Sequence, residues 1–210
     1  MTLHRTLLCA LLALAVAAAL APRADAALRL NEILPGPATD WDGSGVFSSR
    51  DDEWVEVVNT GPAALDLSPF MLTDAAGTPR FRFTGFLGAG ERLVVFGSDS
   101  YAWERDTGHP AFGLSFGNSG DSVMLWQIGA SDTMLIEQYA YLSHEAAADR
   151  AIGRRPDAEG AWSLFDGLNP YSGTTEPHGN GCAPSPGTPN QCDSTPVESG
   201  SWGRLKTLYR

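Results

Sequence analysis

The chain has 210 residues, with 25 Asp and Glu against 14 Lys and Arg and a formal net charge of −11. A surface this acidic repels phosphate backbones and anionic lipid and attracts cations, which argues against a nucleic-acid partner and a peripheral membrane role and in favour of a divalent metal.

In chain order, the first element is a targeting segment. A short basic region (His4, Arg5) leads into an apolar run from Leu7 to Leu20, and Ala24-Asp25-Ala26 supplies small residues at the right spacing for cleavage. The run falls below the ~20 apolar residues that a spanning helix needs, and Pro22 and Arg23 follow it. Residues 1–26 therefore read as a signal peptide, with Ala27 as the mature start and a retained anchor as the alternative. Cys9 would leave with this segment. Losing Arg5, Arg23 and Asp25 moves the formal charge from −11 to −12, and 210 minus 26 leaves 184 residues, enough for one ordinary core. The expected organisation is one domain over 27–192 and a tail over 193–210.

From Leu28 to about Phe165 the chain consists of short apolar segments bounded by Gly, Pro, Asn and Asp, without a long stretch of helical period. Strands are predicted at Leu28–Leu34, Trp54–Val58, Phe70–Thr73, Arg80–Phe83, Arg92–Phe96, Ser122–Gln127, Met134–Tyr141 and Ala161–Phe165. The alternation in Arg80-Phe81-Arg82-Phe83 points both rings one way. Each sheet must bury one face, so seven or eight such strands predict two packed antiparallel sheets, an all-β sandwich. The expected core is Ile33, Val55, Val57, Leu65, Leu67, Leu72, Phe81, Phe83, Leu93, Val95, Val123, Leu125, Ile136 and Tyr139. His144–Arg150 is expected to form one helical turn, and Asp149, Arg150, Arg154 and Arg155 to lie on a solvated face. Residues 166–190 are rich in turn formers and read as an ordered loop over the sandwich. Cys182 and Cys192, an even pair in an exported chain, are expected to form a structural disulfide that holds this loop.

The order of segments resembles the lamin tail domain family. The likeness rests on Leu30-Asn31-Glu32-Ile33-Leu34-Pro35, on Asp52-Glu53-Trp54-Val55-Glu56-Val57-Val58-Asn59-Thr60-Gly61, and on Leu65-Asp66-Leu67-Ser68 before Phe70-Met71-Leu72-Thr73-Asp74. Leu87–Glu91, the Asn118 to Asp121 hairpin, Ala151–Pro156, the Trp162 strand and Ser185-Pro186-Gly187-Thr188-Pro189-Asn190 look like later parts of secreted bacterial members. The resemblance implies an immunoglobulin-like antiparallel β-sandwich. Asn59 and Gly61 are expected in left-handed turn conformations, and Asp66 or Ser68 to bond nearby backbone. The heptad rod, basic localisation run and prenylation box of nuclear lamins have no counterpart here, so filament assembly and chromatin binding are not implied.

The candidate site lies in Asp40–Asp51, whose spacing mimics a twelve-residue calcium loop. Asp40, Asp42, Ser44, Ser48 and Asp51 place oxygens at positions 1, 3, 5, 9 and 12, Val46 offers its carbonyl at 7, and Gly45 permits the sharp turn at 6. Position 12 is Asp, where a calcium loop has the longer Glu, and Asp52 or Glu53 would have to compensate. The competing reading is a solvated acidic loop. If calcium binds, an affinity on the order of 0.1–1 mM is expected, as for extracellular modules.

Catalysis finds little support in the residues. His109, His144 and His178 form no metal-protease pair, and no serine elbow or Cys-His arrangement is evident. The tail from Ser194 sets Glu198 against Arg204, Lys206 and Arg210, and Trp202, Leu205, Leu208 and Tyr209 recur at near-helical spacing. It reads either as a docking or sorting element or as a frayed terminus. The expected function is a secreted, non-catalytic binding or surface-attachment module whose partner is a protein or a cell-surface glycan. An accessory role beside an extracellular hydrolase or nuclease is the alternative that the resemblance implies.

Overall fold

The computed structural model describes residues 27–192. The expected signal peptide and tail, residues 1–26 and 193–210, lie outside the described residues.

The strands in chain order are β1 (Leu28–Leu34), β2 (Trp54–Asn59), β3 (Leu65–Asp66), β4 (Phe70–Thr73), β5 (Pro79–Arg82), β6 (Phe86–Leu87), β7 (Arg92–Phe96), β8 (Gly120–Ile128), β9 (Thr133–Leu142), β10 (Ala151–Arg155) and β11 (Ala161–Phe165), with one helix, α1 (Gly97–Thr107), between β7 and β8. They form a five-stranded sheet in the order β11-β10-β1-β2-β7, a four-stranded sheet in the order β5-β4-β8-β9, and the two-stranded pair β3-β6. All named strand pairs are antiparallel. This is the immunoglobulin-like sandwich expected.

The core between the sheets follows from the two-residue period of the strands. Val55 and Val57 of β2, Ile33 of β1, Leu72 of β4 and Val123 and Leu125 of β8 turn inward, and all fourteen expected core residues belong to this one cluster, with Leu65, Phe81, Leu93, Ile136 and Tyr139 half-buried at its rim. Phe81 and Phe83 meet edge to face at 5.3 Å.

The outward side chains of the five-stranded sheet are buried too. Every residue of β2 is buried, because a second cluster built from Leu34, Trp54, Ala151, Phe165 and Cys182 lies on that outer face. The segment from Asp166 to Cys192 covers it. Cys182 and Cys192 are joined by a disulfide with Cα atoms 5.0 Å apart. Gly153 lets this cover approach closely: a Cβ there would stand 2.9 Å from both the Phe165 ring and the Asn190 amide nitrogen.

Several local expectations need correction. Helix α1 was not anticipated, because its buried residues are Gly97, Ser100 and Glu104 and leave no apolar stripe to read. Its signals are local: Asp99 accepts from the Phe96 N–H at 3.0 Å, and Gly108 ends the helix at φ 78°. β10, outside the eight expected strands, extends the first sheet beside β1. Neither Asn59 nor Gly61 adopts positive φ. Asn59 instead ends β2 with a buried side chain whose amide nitrogen lies 2.8–3.0 Å from the carbonyls of Ala63, Leu87 and Gly88, while its oxygen accepts the Gly61 N–H at 2.9 Å. Asp66 does accept both the amide and the hydroxyl of Ser68.

His144–Arg150 forms successive turns with Asp149 at φ 51°. Asp149 and Arg150 are buried there, not solvated: Asp149 accepts from the Trp41 indole and the Ala38 amide, and Arg150 donates to the carbonyls of His144, Asn169 and Pro170. Arg154 likewise points inward, packs over the Trp162 ring and pairs with Glu137.

Candidate functional site

The acidic loop joins β1 to β2 at one end of the sandwich. Carboxylate oxygens of Asp40, Asp42 and Asp52 lie within 4.8 Å of one another. The loop is wound around them by its own amides. Asp52, fully buried at the loop's end, accepts the N–H groups of Trp41 at 2.6 Å, Asp42 at 2.9 Å and Ser48 at 2.7 Å. Asp40 accepts those of Ser44 and Gly45, and Asp42 accepts that of Ser44. Gly43 and Gly45 adopt φ of 72° and 87°, which any other residue would take only under strain.

The remaining expected ligands are placed differently. Asp51 turns away and pairs with Arg50 at 2.6 and 2.8 Å, which holds its carboxyl below the ordinary range. The Ser44 hydroxyl bonds the Val46 carbonyl, and the Ser48 hydroxyl accepts the Asp51 amide. Asp52 thus occupies the place expected of Asp51. One position along the chain decides it, because Asp51 faces Arg50, whose guanidinium also stacks over Tyr101 at 3.9 Å. For Asp42, burial works against ionisation, but the Ser44 amide and the Ser98 and Ser44 hydroxyls outweigh it and hold its carboxyl below the usual range. Glu53 is engaged elsewhere: it accepts the Phe116 amide at 3.1 Å, and burial pushes its carboxyl up to about 8.

At the tip of this frame Val46 and Phe47 are exposed, at 72% and 48%. The helix end lies alongside, since Gly97 and Ser98 donate to the carbonyls of Glu53 and Asp51. The loop after α1 carries exposed Phe112, and its neighbour Gly113 approaches Arg50.

A second cluster, which sequence reasoning missed, lies on the outer face of the five-stranded sheet. Glu32 and Glu56 are cross-strand partners on β1 and β2, both fully buried beneath residues 185–190. Glu32 accepts the Ser185 amide at 3.0 Å and meets its hydroxyl at 2.8 Å, and Glu56 accepts the Gly187 amide at 2.7 Å. Asp157, from the β10–β11 connection, accepts the Asn190 amide at 2.9 Å and the Asn31 side chain at 3.0 Å. Asn31, the extra residue of a β-bulge, also donates to Glu56 at 2.6 Å. Arg92 of β7 pairs with Asp157 and lies 3.8 Å from Glu56. Burial pushes Glu32 up to about 8 and Glu56 up to about 7. The sequence carries one trace of it, a glutamate in each of two neighbouring strands, which pairing sets directly opposite each other and which repel if both are charged.

The histidines sit in local contacts. His109 stacks on Trp103, His144 lies against Tyr171 and the Pro177 carbonyl, and His178 pairs with Glu176. Among the described residues no helix is long and apolar enough to cross a membrane.

Compared with known proteins, residues 21–143 match the family model described as Lamin Tail Domain. The match spans β1 to β9; β10, β11 and the disulfide-bonded cover lie beyond it. No curated protein and no solved structure matches the chain.

Proposed function

The chain belongs to the lamin tail domain family, and from that premise we propose that it acts as an exported, non-catalytic binding or surface-attachment module whose partner is a protein or a cell-surface glycan. The observation that carries this reading is the β1–β2 loop. Its backbone is fixed by Asp40 and Asp52, and it holds Val46 and Phe47 out into solvent. A rigid scaffold presenting apolar side chains on a braced loop suits recognition, because little ordering entropy remains to be lost on contact. The disulfide is compatible with an oxidising, extracellular setting. Labelled protein incubated with cells of its source is expected to bind, and the paired substitution Val46→Ser and Phe47→Ser to weaken that binding at least tenfold with the melting temperature unchanged. Equal binding by the variant would remove the loop from the function.

A calcium ion bracing the same loop belongs to the proposal. Three carboxylates within 4.8 Å provide the hard oxygens such an ion takes, with Asp40, Asp42 and Asp52 as its holders. Calorimetric melting in 5 mM calcium is then expected to exceed that in chelator by the linkage amount, about 1–2 kcal/mol for a dissociation constant of 0.1–1 mM. Identical melts would leave the loop as a self-bonded acidic turn.

A further inference from the structure

The segment 185–190 is held over the sheet by a hydrogen-bond chain that requires an additional proton. A hydroxyl has one hydrogen to give. The Ser185 hydroxyl oxygen lies 2.8 Å from Glu32 Oε2 and 3.1 Å from Asn190 Oδ1, and both are acceptors when Glu32 is ionised. The Asn190 side chain cannot turn to help, because its Nδ2 donates to the carbonyls of Asn31 at 3.2 Å and Arg154 at 3.0 Å. Glu32 is fully buried and Asn190 is 2% exposed, so bulk water does not supply the missing donor.

We infer that Glu32 carries a proton, which it donates to Ser185 so that Ser185 can donate to Asn190, and that this proton makes the segment 185–190 a pH-operated latch over the sheet. With Glu32 neutral, its hydroxyl donates to the Ser185 oxygen, the Ser185 hydroxyl donates to Asn190 Oδ1, and Glu32 Oε1 still accepts the Ser185 amide; every partner is used. Ionisation removes the first link and leaves a buried acceptor unpaired, at the cost such groups carry. The charges facing Glu32 act in the same direction. Glu56 of β2 and Asp157 of the β10–β11 connection oppose a third negative charge, Arg92 of β7 is already shared between those two, and the latch contributes Ser185, Gly187 and Asn190 but no charge.

The sign follows from linkage. A carboxyl whose pKa is higher in the closed than in the open state favours closure fully below its ordinary value, and that contribution is lost as pH rises through the raised one. For Glu32 the window runs from 4.5 to about 8.

Hydrogen exchange on the full chain, with rates corrected for intrinsic pH dependence, tests this. Protection of the Ser185, Gly187 and Asn190 amides is expected to fall on the order of a hundredfold between pH 6 and pH 9, while the Val55 and Val123 amides keep theirs. The Glu32 side-chain carboxyl carbon should titrate with a midpoint above 7. In Glu32→Gln the carboxamide nitrogen donates to Ser185 at every pH, so the hundredfold fall should shrink to about the tenfold that Glu56, the acceptor of the Gly187 amide, contributes through its own raised carboxyl. Protection in the parent protein that does not change with pH, a Glu32 midpoint near 4.5, or a Glu32→Gln variant that keeps the parent's full response to pH would each overturn the latch. The first two measurements need no variant to fold.

Discussion

Replacing Arg80 with alanine is expected to cost about 3–5 kcal/mol of unfolding free energy. Its guanidinium is buried between Asp74, which it meets at 2.8 and 3.1 Å, and Glu104, at 3.1 Å. Glu104 is fully buried in α1 and also accepts the amides of Phe112 and Gly113 at 2.6 and 2.7 Å. Removing the arginine leaves that carboxylate without its cation in a medium that solvates charge poorly. The helix should loosen first, since Arg80 ties β5 to α1, while Ser100 contributes a single further bond, to the Arg80 carbonyl. Urea denaturation of Arg80→Ala, Glu104→Gln and the double variant checks this. The double variant should be more stable than the sum of the single losses, and a loss below 1 kcal/mol in Arg80→Ala would show that the charges are better solvated than their burial indicates.

Trp54→Ala should cost a similar amount, about 3–5 kcal/mol. Trp54 is fully buried on the outer face of β2, packed near Trp41 with ring centroids 6.0 Å apart. Trp54→Phe should behave differently. The indole N–H of Trp54 finds no acceptor among the described residues, so the smaller ring loses packing but also relieves an unpaired donor. The two effects are of similar size, and the net change should stay within about 1 kcal/mol. Thermal melts of both variants separate the contributions; a phenylalanine variant as unstable as the alanine one would mean that the indole group has a partner.

Much of the sandwich was legible because strand burial has the shortest period there is. Phe81 and Phe83, or Val55 and Val57, announce their shared face without reference to anything distant. The outer cluster was not legible for the same reason. Glu32 and Glu56 look like solvent-facing positions of half-buried strands, and only a cover made from residues 185–190 converts them into interior groups. Helix α1 escaped because it is anchored through Ser100 and Glu104, polar residues that apolar periodicity ignores. In the acidic loop the residue types and the Gly45 turn were readable, but the choice of Asp52 over Asp51 depends on Arg50 and Tyr101, two contacts that spacing does not encode.

The cover over the five-stranded sheet also governs when the molecule can finish folding. Ser185 reaches Glu32 across 153 positions, and Asn190 reaches Asn31 across 159. A chain emerging from its N-terminus can pair β1 with β2 early, yet the two glutamates stay wet until nearly the last described residue has arrived. Such long-range closure is slow. It places the cystine among the last bonds to be made.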